Sequence, residues 1–289
     1  MNAHIPVAVP TVASPYSRFI LQTGTVFSTE KNGVWTMANY TGDANPDLVY
    51  IKTANTGSGF TEVHVASAGS KYQNFVLQTK TVFAPENNGT WLFADFDGDK
   101  KPDLIYIKTR NTGSKSVEVH VASGKSNYAQ FILQTGTVFK EEDNGVWTMA
   151  DTQGTGKLDL VYIKSFDVGS GKVEVHIASA QSNYRNFILQ TGTTFGKEQN
   201  GVWLITNFSS ANQADLVYVK TRYTGSKSVE VHVSPASSTY SSFILQTGTV
   251  FQEESDGTWL LSPRTKDLIY IKTSSTGTGK VEVHIASYA

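Results

Sequence analysis

Five tryptophans, Trp35, Trp91, Trp147, Trp203 and Trp259, stand 56 residues apart along the chain. Leu-Gln-Thr recurs in step from positions 21, 77, 133, 189 and 245. Glu-x-His recurs as Glu62/His64, Glu118/His120, Glu174/His176, Glu230/His232 and Glu282/His284, and only this last step shortens, to 52 residues. The missing residues fall between Trp259 and Asp267, where the "ADFDGDKKPDL" of the second copy has become "LSPRTKDL". A period this strict means a repeat architecture, in which each unit buries its apolar faces against its neighbours.

Each copy reads as four short strands: "GVWTMA", "DLVYIKT", "VEVHVAS" and "FILQTGTVF". All are rich in β-branched and aromatic residues and bounded by Gly, Asn, Asp, Ser or Lys. No window shows a helical period. In "DLVYIKT" both alternating sets (Leu48, Tyr50; Val49, Ile51) are apolar, so both faces of that strand are covered. The expectation is an all-β, five-bladed β-propeller of four-stranded antiparallel blades. The alternative, a β-solenoid, has shorter coils and needs capping ends.

The chain enters on a fourth strand, residues 19–27, and stops on a third, "VEVHIAS". The simplest closure makes 19–27 the outer strand of the C-terminal blade. Residues 1–18 then read as an N-terminal arm, with 19–289 a single propeller. The arm's "VAVPTVASPYSRF" faintly echoes "VHVASGKSNYAQF".

Lys plus Arg is 24 and Asp plus Glu is 25. That balance builds no field for phosphate backbones, so no nucleic-acid partner is expected. Without cysteine, thiol catalysis and thiolate zinc sites are excluded. No stretch approaches the roughly 18 apolar residues of a spanning helix, so no membrane insertion is expected. The start lacks a basic n-region and an apolar core. The expected location is cytoplasmic, or secreted without a classical signal peptide.

Asp-x-Asp-Gly-Asp-x-x-Pro-Asp-Leu, at 95–104 and leading into a strand, resembles the FG-GAP or VCBS repeat of integrin-type propellers. With the recurring "W", "YIK" and "VHVAS" elements, the chain from about residue 19 to 287 looks most like propeller lectins of the Psathyrella velutina and Photorhabdus type. Those lectins have seven blades, against five copies here. The resemblance implies a carbohydrate-binding protein, with a calcium loop joining the first and second strands of a blade.

Calcium wants several oxygen donors from a short loop, with Gly permitting the turn. Asp95, Asp97, Asp99 and Asp103 meet that demand, with a carbonyl near Lys101 as a further donor. The other copies thin out: "ANYTGDANPDL" loses the middle carboxylate, "ADTQGTGKLDL" keeps Asp151 and Asp159, and "TNFSSANQADL" keeps Asn207 and Asp215. Calcium is therefore expected, if anywhere, in the second repeat only. The alternative is a turn whose aspartates cap backbone N–H groups. The last aspartate (Asp47, Asp103, Asp159, Asp215, Asp267) survives where the loop is lost, which marks it as structural.

Strand alternation puts the fourth-to-first and second-to-third connections at the rim opposite that loop. There Glu30, Glu86, Glu142, Glu198 and Glu254 recur, each followed two residues later by Asn32, Asn88, Asn144, Asn200 or Asp256. Lys52, Lys108, Lys164, Lys220 and Lys272 recur at a strand end, followed by Thr53, Thr109, Thr221 and Thr273, with Ser165 in the third copy. Glu62, Glu118, Glu174, Glu230 and Glu282 and the five tryptophans fall near the same rim.

Paired donors and acceptors beside an aromatic ring suit a sugar. The leading expectation is a multivalent lectin with up to five similar sites, taking glycans or glycoconjugates and carrying no catalytic activity. Each feature also has a structural reading: Asn-Gly as a turn, Lys52–Glu62 as a cross-strand ion pair, tryptophan as an inter-blade wedge, histidine as a hydrogen-bonded interface residue. A protein-interaction scaffold is the second class. A five-bladed glycosidase is the third, disfavoured because its acids would come from an asymmetric set.

Overall fold

The computed structural model describes residues 14–43 and 45–289. β1 (Phe19–Ser28) comes first in the chain. The first blade follows as β2 (Gly33–Ala38), β3 (Asp47–Lys52), β4 (Glu62–Ala66) and β5 (Phe75–Lys80). The second is β6 (Gly89–Ala94), β7 (Asp103–Lys108), β8 (Ser116–Ala122) and β9 (Phe131–Lys140). The third is β10 (Gly145–Ala150), β11 (Asp159–Lys164), β12 (Lys172–Ala178) and β13 (Phe187–Gly196). The fourth is β14 (Gly201–Ser210), β15 (Gln213–Lys220), β16 (Ser228–Ser234) and β17 (Leu245–Gln252). β18 (Thr258–Leu261), β19 (Leu268–Lys272) and β20 (Lys280–Ala286) make three strands of the fifth.

β1 completes that fifth sheet, in the order β1-β20-β19-β18, by pairing antiparallel with β20. The fold is a five-bladed β-propeller, and its ring closes as the phase of the repeat predicts. The first strands of the blades face one another around a central channel of about 530 Å³, lined among others by Thr36, Thr90, Thr148, Leu204 and Leu260.

The second strand of each blade is the core. Leu48, Val49, Tyr50 and Ile51 are each at most 2% exposed, as an all-apolar strand sandwiched by neighbours must be. Burying a side chain of this size gains about 1.5–3 kcal/mol. The five clusters alternate around the ring, each joining one blade to the next; Val63 and Val65 of the first blade pack with Trp91 and Tyr106 of the second.

Blades are also latched through hydrogen bonds. Tyr72, Tyr128, Tyr184 and Tyr240 end short turns before the outer strands, with φ of 59–62°. Each carbonyl accepts from the outer strand of the preceding blade, or from just past it at Val82: Val26 N–H to Tyr72 at 2.9 Å, then Val82 to Tyr128, Val138 to Tyr184 and Thr194 to Tyr240 at 2.8 Å. Each hydroxyl donates to the carbonyl ahead of the recurring aspartate, as Tyr128 does to Pro102 at 3.2 Å. Tyr16 makes the fifth latch: it is fully buried, has φ 58°, and accepts from Val250 N–H at 2.8 Å. The arm expected over 1–18 is thus described only from residue 14; residues 1–13 lie outside the described residues.

Candidate functional site

Register decides which side chains meet. Trp35, Tyr50, His64 and Gln78 stand directly across from one another on successive strands, running from axis to periphery. Lys52 and Glu62 oppose each other two residues nearer the rim, and the period of two puts them on the same face as Tyr50 and His64. This face is aromatic inside and polar outside. The outer strand of the preceding blade lies against it, with Phe27 edge-on to Trp35 and to Phe75, 4.9 Å from each. A groove remains between the two blades. At the third blade it encloses about 240 Å³ and is lined by Phe139, Lys140 and Glu142 from one side and Tyr162, Lys164, His176, Phe187 and Gln190 from the other.

The same polar contacts recur at all five blades. Lys52 pairs with Glu30 at 2.8 Å, Lys108 with Glu86 at 2.7 Å, Lys164 with Glu142 at 3.0 Å, Lys220 with Glu198 at 2.8 Å and Lys272 with Glu254 at 3.3 Å. Glu62 instead holds its own strand's histidine: its Oε2 lies 3.2 Å from His64 Nε2, and its Oε1 accepts the Ser58 N–H at 3.0 Å. The alternative reading of a Lys52–Glu62 pair is therefore corrected. Lysine reaches the loop acid, and the strand acid is already taken by serine and histidine. Burial alone would raise Glu62, but the Ser58 hydrogen bonds and His64 outweigh it and hold the carboxyl below its usual range. The same holds for Glu118, Glu174, Glu230 and Glu282.

On the far side of each ring sits a glutamine. Gln78 Nε2 lies 3.3 Å from His64 Nδ1, with Gln134–His120 and Gln22–His284 at 3.2 Å and Gln190–His176 and Gln246–His232 at 3.1 Å. All five glutamines are exposed.

Other expected site residues are committed to the scaffold. The tryptophans are 2–5% exposed and stack on the neighbouring tyrosine, Trp35 on Tyr50 at 4.1 Å and Trp147 on Tyr162 at 4.0 Å. They are inter-blade wedges and offer no ring face to a ligand. Asn32 accepts the Tyr50 hydroxyl at 2.6 Å, and its carbonyl accepts the Thr53 and Ala54 N–H groups, so it ties two rim loops together. Burial first, then the Glu30 carboxylate, pushes the Tyr50 phenol far up, which keeps it a donor. Asp256 replaces the asparagine in the fifth blade and accepts from Tyr270 at 2.7 Å. Thr109 and Thr221 are buried and donate to the Asn88 and Asn200 carbonyls at 3.2 Å.

The groove thus keeps the Glu–Lys pairs and adds His, Gln and Phe, which the rim-based reading left out. The signal was in the repeat: Leu-Gln-Thr carries a polar residue in mid-strand five times over, preceded by Phe19, Phe75, Phe131, Phe187 and Phe243.

At the other rim, carboxylate oxygens of Asp95, Asp97 and Asp99 lie within 4.8 Å of one another. Asp103 is not among them: it is fully buried and accepts the Gly124 and Phe96 N–H groups at 2.7 and 2.9 Å. Burial raises its carboxyl above the ordinary value, against those hydrogen bonds. Lys125 Nζ stands 3.1 Å from Asp99 Oδ2. Burial would raise Asp99, but the Lys101 N–H and the Lys125 ammonium together lower it. Three acids around one point fit a hard cation, with the lysine already supplying one positive charge.

No family model and no curated protein matches the sequence. Among solved structures, one described as BBS1N in complex with ARL6DN aligns over 96% of this chain and 98% of that one, with a TM-score of 0.46 at 7% identity. A likeness at that level carries no inference about what this chain does.

Proposed function

We propose that this propeller is a multivalent carbohydrate-binding protein, with one site in each inter-blade groove. The observation that supports it is the fivefold recurrence of one groove. In each, an exposed or half-buried phenylalanine faces a Glu–Lys pair and an exposed glutamine held by a histidine. Sugar hydroxyls need adjacent donors and acceptors, and the apolar face of a pyranose needs an aromatic ring. Five weak sites on one ring gain avidity on a glycan-covered surface. The reading contains no catalytic step, because the acids come in fivefold sets and catalysis needs an asymmetric constellation.

A glycan array followed by calorimetry tests it. The expected result is a bound glycan with a stoichiometry near five; no bound glycan, or one asymmetric site, would overturn it. Glu86→Ala is expected to weaken binding at its groove while the melting temperature moves little, because a half-buried, solvent-facing ion pair on the rim is worth about 1 kcal/mol. A scaffold for protein partners is the second reading, since many propellers serve as one. A pull-down indifferent to added sugars would favour it. For the second repeat we propose a local calcium site built on Asp95, Asp97 and Asp99.

A further inference from the structure

We infer that the glutamine of each Leu-Gln-Thr segment is the group a ligand meets in the groove, and that the proton on its histidine sets whether that group accepts or donates. The consequence for a ligand rests on the proposed sugar reading; the switch itself does not.

The hydrogen-bond chain starts at the carboxylate. Glu62 is held ionised by Ser58 and His64, so it only accepts. His64 Nε2, 3.2 Å away, therefore carries the ring hydrogen. In the neutral imidazole the other nitrogen, Nδ1, is then a bare acceptor. The group facing it is the Gln78 amide at 3.3 Å, and only the NH₂ end can fill that bond. The carbonyl end is left turned outward on an exposed side chain. The same chain of contacts, Glu to His to Gln, repeats at every blade.

A second proton changes the outward atom. Protonated histidine donates from both nitrogens, so NH₂ against Nδ1–H becomes donor against donor. A half-turn about the last glutamine torsion, which is broad and roughly two-fold, restores the bond by presenting Oε1 to the ring. The NH₂ then faces the groove. Ligand hydroxyls or N–H groups are accepted while the ring is neutral; carboxylates and carbonyls are favoured once it carries the second proton. At the third blade the groups around this ring are Glu174 on its own strand, Tyr162 and Lys164 on β11, neutral Gln190 on β13, and Lys140 and Glu142 from the preceding blade. Ser28, Ala84, Gly196 and Gln252 replace Lys140 at the other grooves, whereas the Glu–His–Gln unit, like the Lys–Glu pair, recurs at all five.

The test is NMR on the whole chain, labelled at nitrogen, from about pH 8 to about pH 5, the range in which histidine changes charge. At the upper end the five groove histidines are expected as the Nε2–H tautomer, with cross-relaxation between each ring and its glutamine NH₂. That cross-relaxation should vanish as each ring takes its second proton. In Glu118→Gln, a neutral amide no longer dictates the tautomer, so His120 alone should become a mixture. Nδ1–H rings at the upper end, glutamine contacts unchanged through the titration, or a His120 unaffected by Glu118→Gln would each overturn the inference. Because this readout needs no ligand, its failure is separable from a failure to bind sugar.

Discussion

Asp47→Ala is expected to be among the most damaging changes of a single polar side chain in the first blade. Asp47 is fully buried, yet its carboxylate is saturated. Oδ1 accepts the Ala68 N–H at 2.8 Å, while Oδ2 accepts the Tyr40 and Thr41 N–H groups and the Thr41 hydroxyl at 2.8–3.0 Å. Removal orphans the Ala68 and Thr41 N–H groups, while the Tyr40 N–H keeps the Ala38 carbonyl at 3.0 Å. An unsatisfied buried donor costs about 1–3 kcal/mol; with about 2 for Ala68 and about 1 for the Thr41 amide, which water can partly reach, the total is about 3 kcal/mol. That corresponds to a drop of roughly 8 °C in melting temperature for a domain of this size. The internal control is Asp267→Ala. Asp267 is only half-buried and its carboxylate accepts one amide from outside its own turn, Tyr288 N–H at 2.9 Å, so about 1 kcal/mol is expected. Urea unfolding followed by circular dichroism reads both as midpoint shifts at constant slope. Equal losses in the two variants, or a loss under about 1 kcal/mol in Asp47→Ala, would refute the reasoning from saturation.

Trp91→Ala is expected to cost about 3–5 kcal/mol, as a buried wedge between Phe83 and Tyr106 should; near-native melting with loss of glycan binding would instead make the indole a ligand platform. The lowered carboxyls of Glu62, Glu118, Glu174, Glu230 and Glu282 predict acid sensitivity with a definite sign. A group whose folded pKa is depressed contributes stability above its unfolded value and loses it as pH falls through the folded one, so urea midpoints should fall on acidification, and less so in Glu118→Gln. Calorimetry with calcium should register a single weak site. Asp97→Asn should abolish it, and Lys125→Ala should strengthen it by removing the ammonium beside Asp99.

The ring was legible because the features that make it are repetitive and one-dimensional. Fifty-six-residue spacing, all-apolar second strands and the phase of the termini are read without knowing any contact. The recurring aspartate was also legible as structural, since Asp159 and Asp215 persist where the acidic loop around them has gone. The groove was harder. Glu30 and Lys52 are placed on the right rim by alternation, but alternation alone does not show that Lys52 reaches Glu30 rather than Glu62. That choice depends on Ser58 and His64 occupying Glu62 first. Tryptophan stays open in the sequence for a related reason: one residue type serves both as a stacking platform and as a wedge, and only the position of the preceding blade's Phe27 distinguishes them. Gln78 and Phe75 are not legible as site residues because they sit on the outermost strand, and sequence does not say that the preceding blade leaves its outer part uncovered.

The tyrosine latches bear on how the molecule comes apart. In an open stack of repeats, the terminal units fray first, because each has a neighbour on one side only. Here every outer strand is tied to the following blade, and Tyr16 ties the fourth to the fifth as Tyr72 ties the fifth to the first. The seams form a closed loop with no weakest end. The amides of Val26, Val82, Val138, Thr194 and Val250 should therefore exchange with solvent through one shared opening, with nearly the same protection, and not in a gradient running inward from the termini.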